Sequence, residues 1–169
     1  DMIERWQKDE VASSLKCFRV VNLTGARQCG KTTLAGMVPL ASAKRITLDD
    51  EETRKAAKSD PHGFIDRADG ETVVIDEIQK APELLNAIKM RVDRDNAKGQ
   101  YLLTGSANLH FVKAVTDSLA GRIGRVRLRT LALGETLGGC GDFIARAFAR
   151  DFPRDAPHLD KRRAIALAT

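Results

Sequence analysis

The stretch NLTGARQCGKTTL, residues 22–34, constrains this chain more than any other. It follows an apolar run at residues 18–23, carries the frame Gly25-x-x-x-x-Gly30-Lys31-Thr32, and leads into a helical pattern. A strand, a glycine-punctuated loop and a helix in this order wrap backbone amides around a phosphate. Gly25 and Gly30 permit backbone angles that a side chain would forbid, and they let N–H groups approach an anion closely. The start of the following helix adds its dipole at the same point. Lys31 is placed to neutralise β- and γ-phosphates, the Thr32 hydroxyl to take one Mg²⁺ position, and Thr33 to lie near the α-phosphate. Ala26, Arg27, Gln28 and Cys29 fill the loop and contribute amides, while the Arg27 and Gln28 side chains can point outward. Cys29 has two readings. Beside a helix N-terminus and Lys31 its thiol is open to activation and oxidation. As a small apolar group filling a Val-sized space it simply packs, and that reading is favoured.

A second element is the β-branched run at residues 72–75, which ends in Asp76 and Glu77. In a phosphate-loop protein such a strand is expected beside the first, with its carboxyl end facing the phosphates. Asp76 then holds Mg²⁺ through water and Glu77 polarises the attacking water, which signals hydrolysis of a nucleotide as well as binding. Gln79 follows closely and has two expected roles: a switch that restrains Glu77 or contacts a partner, or, the favoured reading, simply the start of the loop before Pro82. A third apolar strand, at residues 100–103, ends in Thr104, Gly105 and Ser106. Thr104 is preferred to Ser106 as a hydrogen-bonding partner for the γ-phosphate or the water, because it directly ends the strand. The fourth element is DSLAGR, ending in Arg122. Arg122 fits two roles equally: an arginine finger reaching a neighbouring subunit's nucleotide, or a surface Arg paired with a carboxylate. Arg125 competes for the finger role; Arg125, Arg127 and Arg129 alternate with Val126 and Leu128, which suits a charge-protected edge strand and a ligand face equally.

Strands are expected at residues 18–23, 45–48, 72–75, 100–103 and 124–128, with helices at 31–38, 51–58, 83–93 and 109–118. Such alternation describes an α/β fold with a mostly parallel sheet. In the helix opened by Ala81-Pro82-Glu83, Leu84, Leu85, Ile88 and Val92 form an apolar stripe that must face that sheet. Asp49 and Asp50 read as turn residues rather than metal ligands. The balance of 43% hydrophobic and 30% charged residues fits a globular protein and excludes a disordered one. No run approaches the length of a membrane span. Three scattered cysteines, Cys17, Cys29 and Cys140, form no C-x-x-C pair, which favours a reducing, cytoplasmic setting over a disulfide frame. Residues 1–120 balance 18 basic against 18 acidic side chains, whereas residues 121–169 hold 10 against 5. That excess fits a nucleic-acid surface, but counter-charges on a partner or a bound nucleotide are the favoured account.

In this order the four elements resemble an AAA+ ATPase core. LTGARQCGKTTL, VVIDEIQKAPELLNAIK, LLTGSANL and DSLAGR are similar to those of a large prokaryotic set of poorly characterised AAA+ ATPases, whose members usually continue into a C-terminal domain of unknown function. The resemblance implies a P-loop NTPase fold, a three-layer α/β/α sandwich with parallel strand order 5-1-4-3-2, and ATP with Mg²⁺ held by residues 25–33. It implies Asp76 and Glu77 as the metal and water carboxylates. More weakly, LGETLGGCGDFIARAFA resembles the passage into the family's helical lid. The expected domains are therefore an ATPase core over residues 1–133 and the start of a lid, apparently cut short, over 134–169. Ala26 and Cys29 stand where the family commonly has Pro and Val, which removes no phosphate-binding amide. A complete lid, a second-sensor Arg and the C-terminal domain are not recognisable, which puts sustained turnover by this chain in doubt. The implied function is an ATP-hydrolysing conformational switch or motor, acting on an appended domain or protein partner within a homo-oligomer joined through Arg122. The alternatives are a nucleotide-binding regulatory module with little turnover, or a DNA-associated ATPase.

Overall fold

The order of elements in the computed structural model follows directly from where the chain turns apolar. The structure describes residues 3–66, 71–106, 115, 117, 119–132 and 135. Helix α1 (Gln7–Cys17) leads into β1 (Val20–Gly25), α2 (Lys31–Met37), β2 (Ala43–Thr47), α3 (Glu51–Ser59) and α4 (Pro61–Asp66). Then come β3 (Thr72–Asp76), a single 3₁₀ turn at Ile78–Lys80, α5 (Leu84–Arg94), β4 (Tyr101–Ser106) and β5 (Ile123–Leu128). The five strands form one sheet in the order β2-β3-β4-β1-β5, and every pairing is parallel. This is the expected 5-1-4-3-2 order of a P-loop α/β fold.

One expectation needs correction. β3 does not lie beside β1, because β4 separates them and pairs with both. The separation opens a slot at the carboxyl ends of β1 and β3, and the end of β4 carries Thr104 into it.

Side chains of successive strand residues alternate between the two faces, and each face has its own core. On one side Val20, Val73, Ile75, Tyr101 and Leu103 pack with the α5 stripe of Leu84, Leu85, Ile88 and Val92. On the other, Val21, Leu23, Val74, Leu102, Val126 and Leu128 pack with Val11 and Leu15 of α1 and with Leu34 and Ala35 of α2. The sheet is thus covered on both faces, as parallel sheets require. β5 is an edge strand, and its buried Gly124, Val126 and Leu128 alternate with exposed Arg125 and Arg127.

Asp50 caps α3 by accepting a 2.7 Å hydrogen bond from the Thr53 amide, and Asp49 pairs with Lys80. Both aspartates are therefore turn residues, as the sequence suggests. Most of the helix expected at 109–118 (all but Val115 and Asp117, both helical), the side chain of Ser106 and nearly all of the expected lid lie outside the described residues.

Candidate nucleotide site

The phosphate loop runs from the end of β1 to the start of α2. At Gly25 a Cβ would stand 2.7 Å from both the Leu128 carbonyl oxygen and the Cys29 sulfur, so only glycine fits where the loop leaves the sheet. Two residues adopt left-handed backbone, Gln28 at φ 60° and Gly30 at φ 90°. Alternating left- and right-handed residues turn successive N–H groups into one concavity, an anion-binding nest. Ala26, Arg27 and Gln28 are exposed, so their side chains leave the concavity to the backbone. Cys29 is partly buried against the α1–α2 side of the core.

Lys31 is only 6% exposed, yet its Nζ reaches just carbonyl oxygens among the described residues: Ala26 at 2.8 Å and Gly25 at 3.4 Å. Burying an ammonium group without an anionic partner is costly. An anion in the loop would supply that missing charge.

Across the slot, Asp76 collects two hydroxyls that the chain brings from far apart. Its Oδ2 accepts a 2.8 Å hydrogen bond from the Thr32 hydroxyl, 44 residues away in sequence. Its Oδ1 accepts from the Thr104 hydroxyl. The Thr104 oxygen in turn receives the Glu77 amide N–H at 3.4 Å. Thr104 is fully buried. Its hydroxyl is thus engaged in fixing Asp76 and the Glu77 backbone, rather than standing free for a phosphate. A cleft of about 160 Å³ lies beside Thr32, Asp76 and Thr104, and Arg45, Ile46 and Val74 line its other wall.

Thr104→Val keeps the shape and removes the shared hydroxyl. It should lower stability by about 1–3 kcal/mol, the cost of leaving buried polar partners unmatched. Thermal unfolding of the variant, read beside its Mg²⁺ requirement, checks this.

Glu77 adopts left-handed backbone, φ 57° and ψ 42°, although it carries a side chain. Strain of this kind concentrates at functional positions. The fully buried Ile78 anchors the 3₁₀ turn that follows, while Lys80 reaches across to Asp49. Gln79 donates its side-chain amide to Glu77 Oε2, and its own Oε1 is buried without a partner. Of the two roles expected for Gln79, this contact matches the restraint of Glu77.

Arg122 sits at the other end of the sheet. It immediately precedes β5, whose Ile123 pairs with Val20, the first residue of β1. Six strand residues therefore separate it from its own loop, roughly 17 Å at the usual rise per residue. Its guanidinium makes a two-pronged ion pair with Asp93 of α5, with Nη2 at 3.0 Å from Oδ2, and Nη1 donates to the Ala120 carbonyl. The Arg122 hydrogen bond and charge hold the Asp93 carboxyl below its ordinary pKa.

A family model described as an AAA domain matches residues 18–137. The chain belongs to that family. Its core is accordingly that of an AAA+ P-loop ATPase. Two curated relatives, the uncharacterized proteins Mb2031c of Mycobacterium bovis and Rv2008c of Mycobacterium tuberculosis, are each 36% identical over 124 residues. The match covers 73% of this chain but spans only 28% of each relative's length. Among solved structures, C. elegans PCH-2 is similar with a TM-score of 0.47 and 18% identity, over 75% of this chain and 44% of that one. No helix among the described residues of this AAA domain is long and apolar enough to cross a membrane.

The chain also holds a cluster that sequence reasoning missed, part of it ahead of the matched residues. Arg5, ahead of α1, is 6% exposed and spends its guanidinium on three targets. Nε lies 3.2 Å from Glu135 Oε1, Nη1 donates to the Cys29 carbonyl at 2.8 Å, and Nη2 to the Arg129 carbonyl at 2.7 Å. Glu135 also accepts the amides of Trp6 at 2.9 Å and Ala132 at 2.8 Å. Burial alone would push its carboxyl pKa up, but those amides and Arg5 outweigh it and hold the value below normal. Partners 130 positions apart leave no spacing signal. The Val11–Leu15 repeat of α1 is the only local hint that this segment docks at all.

Proposed function

We propose that this AAA domain binds ATP with Mg²⁺ and hydrolyses it, using the nucleotide state to switch its own conformation or that of an attached partner. The observation that carries the reading is Lys31: a buried ammonium beside a left-handed glycine loop, meeting only carbonyl oxygens among the described residues. In this reading the amides of residues 25–33 bind the phosphates and Lys31 neutralises β- and γ-oxygens. Thr32 and Asp76, already 2.8 Å apart, hold the metal, which withdraws charge from the phosphate oxygens when bound. Glu77 accepts a proton from water as the water oxygen bonds to the γ-phosphorus. The bond from that phosphorus to the β–γ bridging oxygen then breaks, releasing ADP and phosphate. Thr104 keeps Asp76 and Glu77 in place throughout. Phosphate release by the wild-type chain, compared with Glu77→Gln at matched nucleotide occupancy, tests the reading. Equal rates would leave only a binding module.

That second reading, a nucleotide-binding regulator with little turnover, has one observation in its favour. Gln79 occupies the Glu77 carboxylate that hydrolysis requires.

Arg122 is too far along the sheet to serve its own nucleotide and fits a neighbouring subunit's instead. The solvent-exposed pair with Asp93 would have to open first, and exposed ion pairs are weak. Mixing Arg122→Ala with Glu77→Gln subunits should therefore restore part of the activity that each lacks alone. Mixed oligomers with no recovery would rule the finger out.

A further inference from the structure

We propose that Arg5 is a positioning residue of the phosphate loop, holding it in the form that receives a nucleotide. The proposal rests on the ATP-binding reading above and adds a residue that lies outside the loop and its motifs. The decisive contact is Arg5 Nη1 to the Cys29 carbonyl oxygen at 2.8 Å. That carbonyl belongs to the peptide whose N–H is Gly30's. In a planar trans peptide the two groups point in opposite directions. Pinning the oxygen on the Arg5 side therefore aims the Gly30 N–H away from Arg5, toward the inner side of the loop.

Gly30 needs such a restraint. It sits at φ 90° and has no side chain to limit rotation of the peptide before it. The guanidinium also lies close against it, since a Cβ on Gly30 would stand 3.3 Å from Nη1.

Arg5 is in turn held from behind. Its second prong grips the Arg129 carbonyl just past β5, and Glu135 fixes Nε while gathering the amides of Trp6 and Ala132. A planar fork with three fixed targets is a geometry that Lys cannot reproduce. Without the fork, the loop populates other peptide orientations, and apparent affinity falls with the fraction still competent.

The test compares four full-length proteins by equilibrium titration with ATP and with ADP, alongside thermal unfolding. Arg5→Lys keeps the charge but loses the fork, and should weaken both nucleotides on the order of tenfold or more. The loss should fall mainly on KM for ATP. Glu135→Gln leaves both carbonyl contacts but removes the counter-charge, and should weaken binding in the same direction by less. Gln7→Ala is the control for docking of α1: Gln7 ties that helix to the Arg127 carbonyl at 2.7 Å and the Arg129 amide at 3.2 Å without touching the loop. It should lower the melting temperature and leave nucleotide affinity unchanged. Wild-type affinity in both Arg5→Lys and Glu135→Gln would overturn the proposal. So would equal losses in Arg5→Lys and Gln7→Ala, which would make Arg5 a mere tether of the helix. A wild-type protein that takes up no nucleotide would sink the ATP reading itself, and the role of Arg5 with it.

Discussion

Glu77→Gln is expected to cut ATP turnover by about 10²–10⁴-fold, the usual contribution of a positioned general base, while leaving affinity for Mg²⁺-ATP within a few-fold. The substitution preserves size and shape, and it removes only the ability to accept a proton. The phosphate-binding parts lie elsewhere, in the loop, Lys31 and the Thr32–Asp76 pair, whose 2.8 Å contact does not involve Glu77. A Gln at this position can still hydrogen-bond Gln79, so the left-handed turn keeps its support. Rapid-quench or phosphate-release kinetics on protein saturated with ATP isolate the chemical step from binding. A fall in affinity as large as the fall in rate would place Glu77 in binding instead of catalysis.

Lys31→Ala should act on the opposite side of that division. Loss of the buried ammonium of Lys31 is expected to weaken ATP binding by about 100-fold or more, as for removal of a strong charge-assisted contact. Because its Nζ meets only the Ala26 and Gly25 carbonyl oxygens among the described residues, the unliganded protein gains little from keeping this charge buried. The variant should therefore unfold at nearly the wild-type temperature without nucleotide, yet fail to be stabilised when ATP is added. Differential scanning fluorimetry with and without Mg²⁺-ATP reads both halves at once.

Most of the site was legible because its parts are local. The sequence pattern of residues 25–32 and the strand ending in Asp76-Glu77 name their own geometry. The Arg125/Arg127 alternation fitted an edge strand and a ligand face equally, and β5 lies at the edge of the sheet. What the sequence hid was non-local. β1 was expected to begin at Phe18, which is apolar, but Phe18 is 40% exposed and outside the strand. The strand instead continues through polar Thr24 to Gly25, because β4 and β5 extend to Ser106 and Leu128 alongside it. The hydroxyl of Thr104 was expected to face phosphate or water. Its engagement with Asp76 follows from β4 lying between β1 and β3, which no local pattern encodes. α1 buries only Val11 and Leu15, a stripe too narrow to stand out against its charged neighbours. α4 is opened by Asp60, which accepts the Gly63 amide at 2.9 Å ahead of Pro61, a start signal readable only in retrospect. Arg5 and Glu135 meet across nearly the whole described chain.

The central claim is that the loop of residues 25–33 is a Mg²⁺-ATP site. Calorimetric titration of ATP into the Glu77→Gln protein, with Mg²⁺ and then with EDTA, tests it most directly because turnover no longer consumes the ligand. The expected result is saturable binding at one site per chain, weakened when Mg²⁺ is removed and lost in a Glu77→Gln/Lys31→Ala double variant. Binding that persists undiminished in the double variant, or no binding at all, would contradict it.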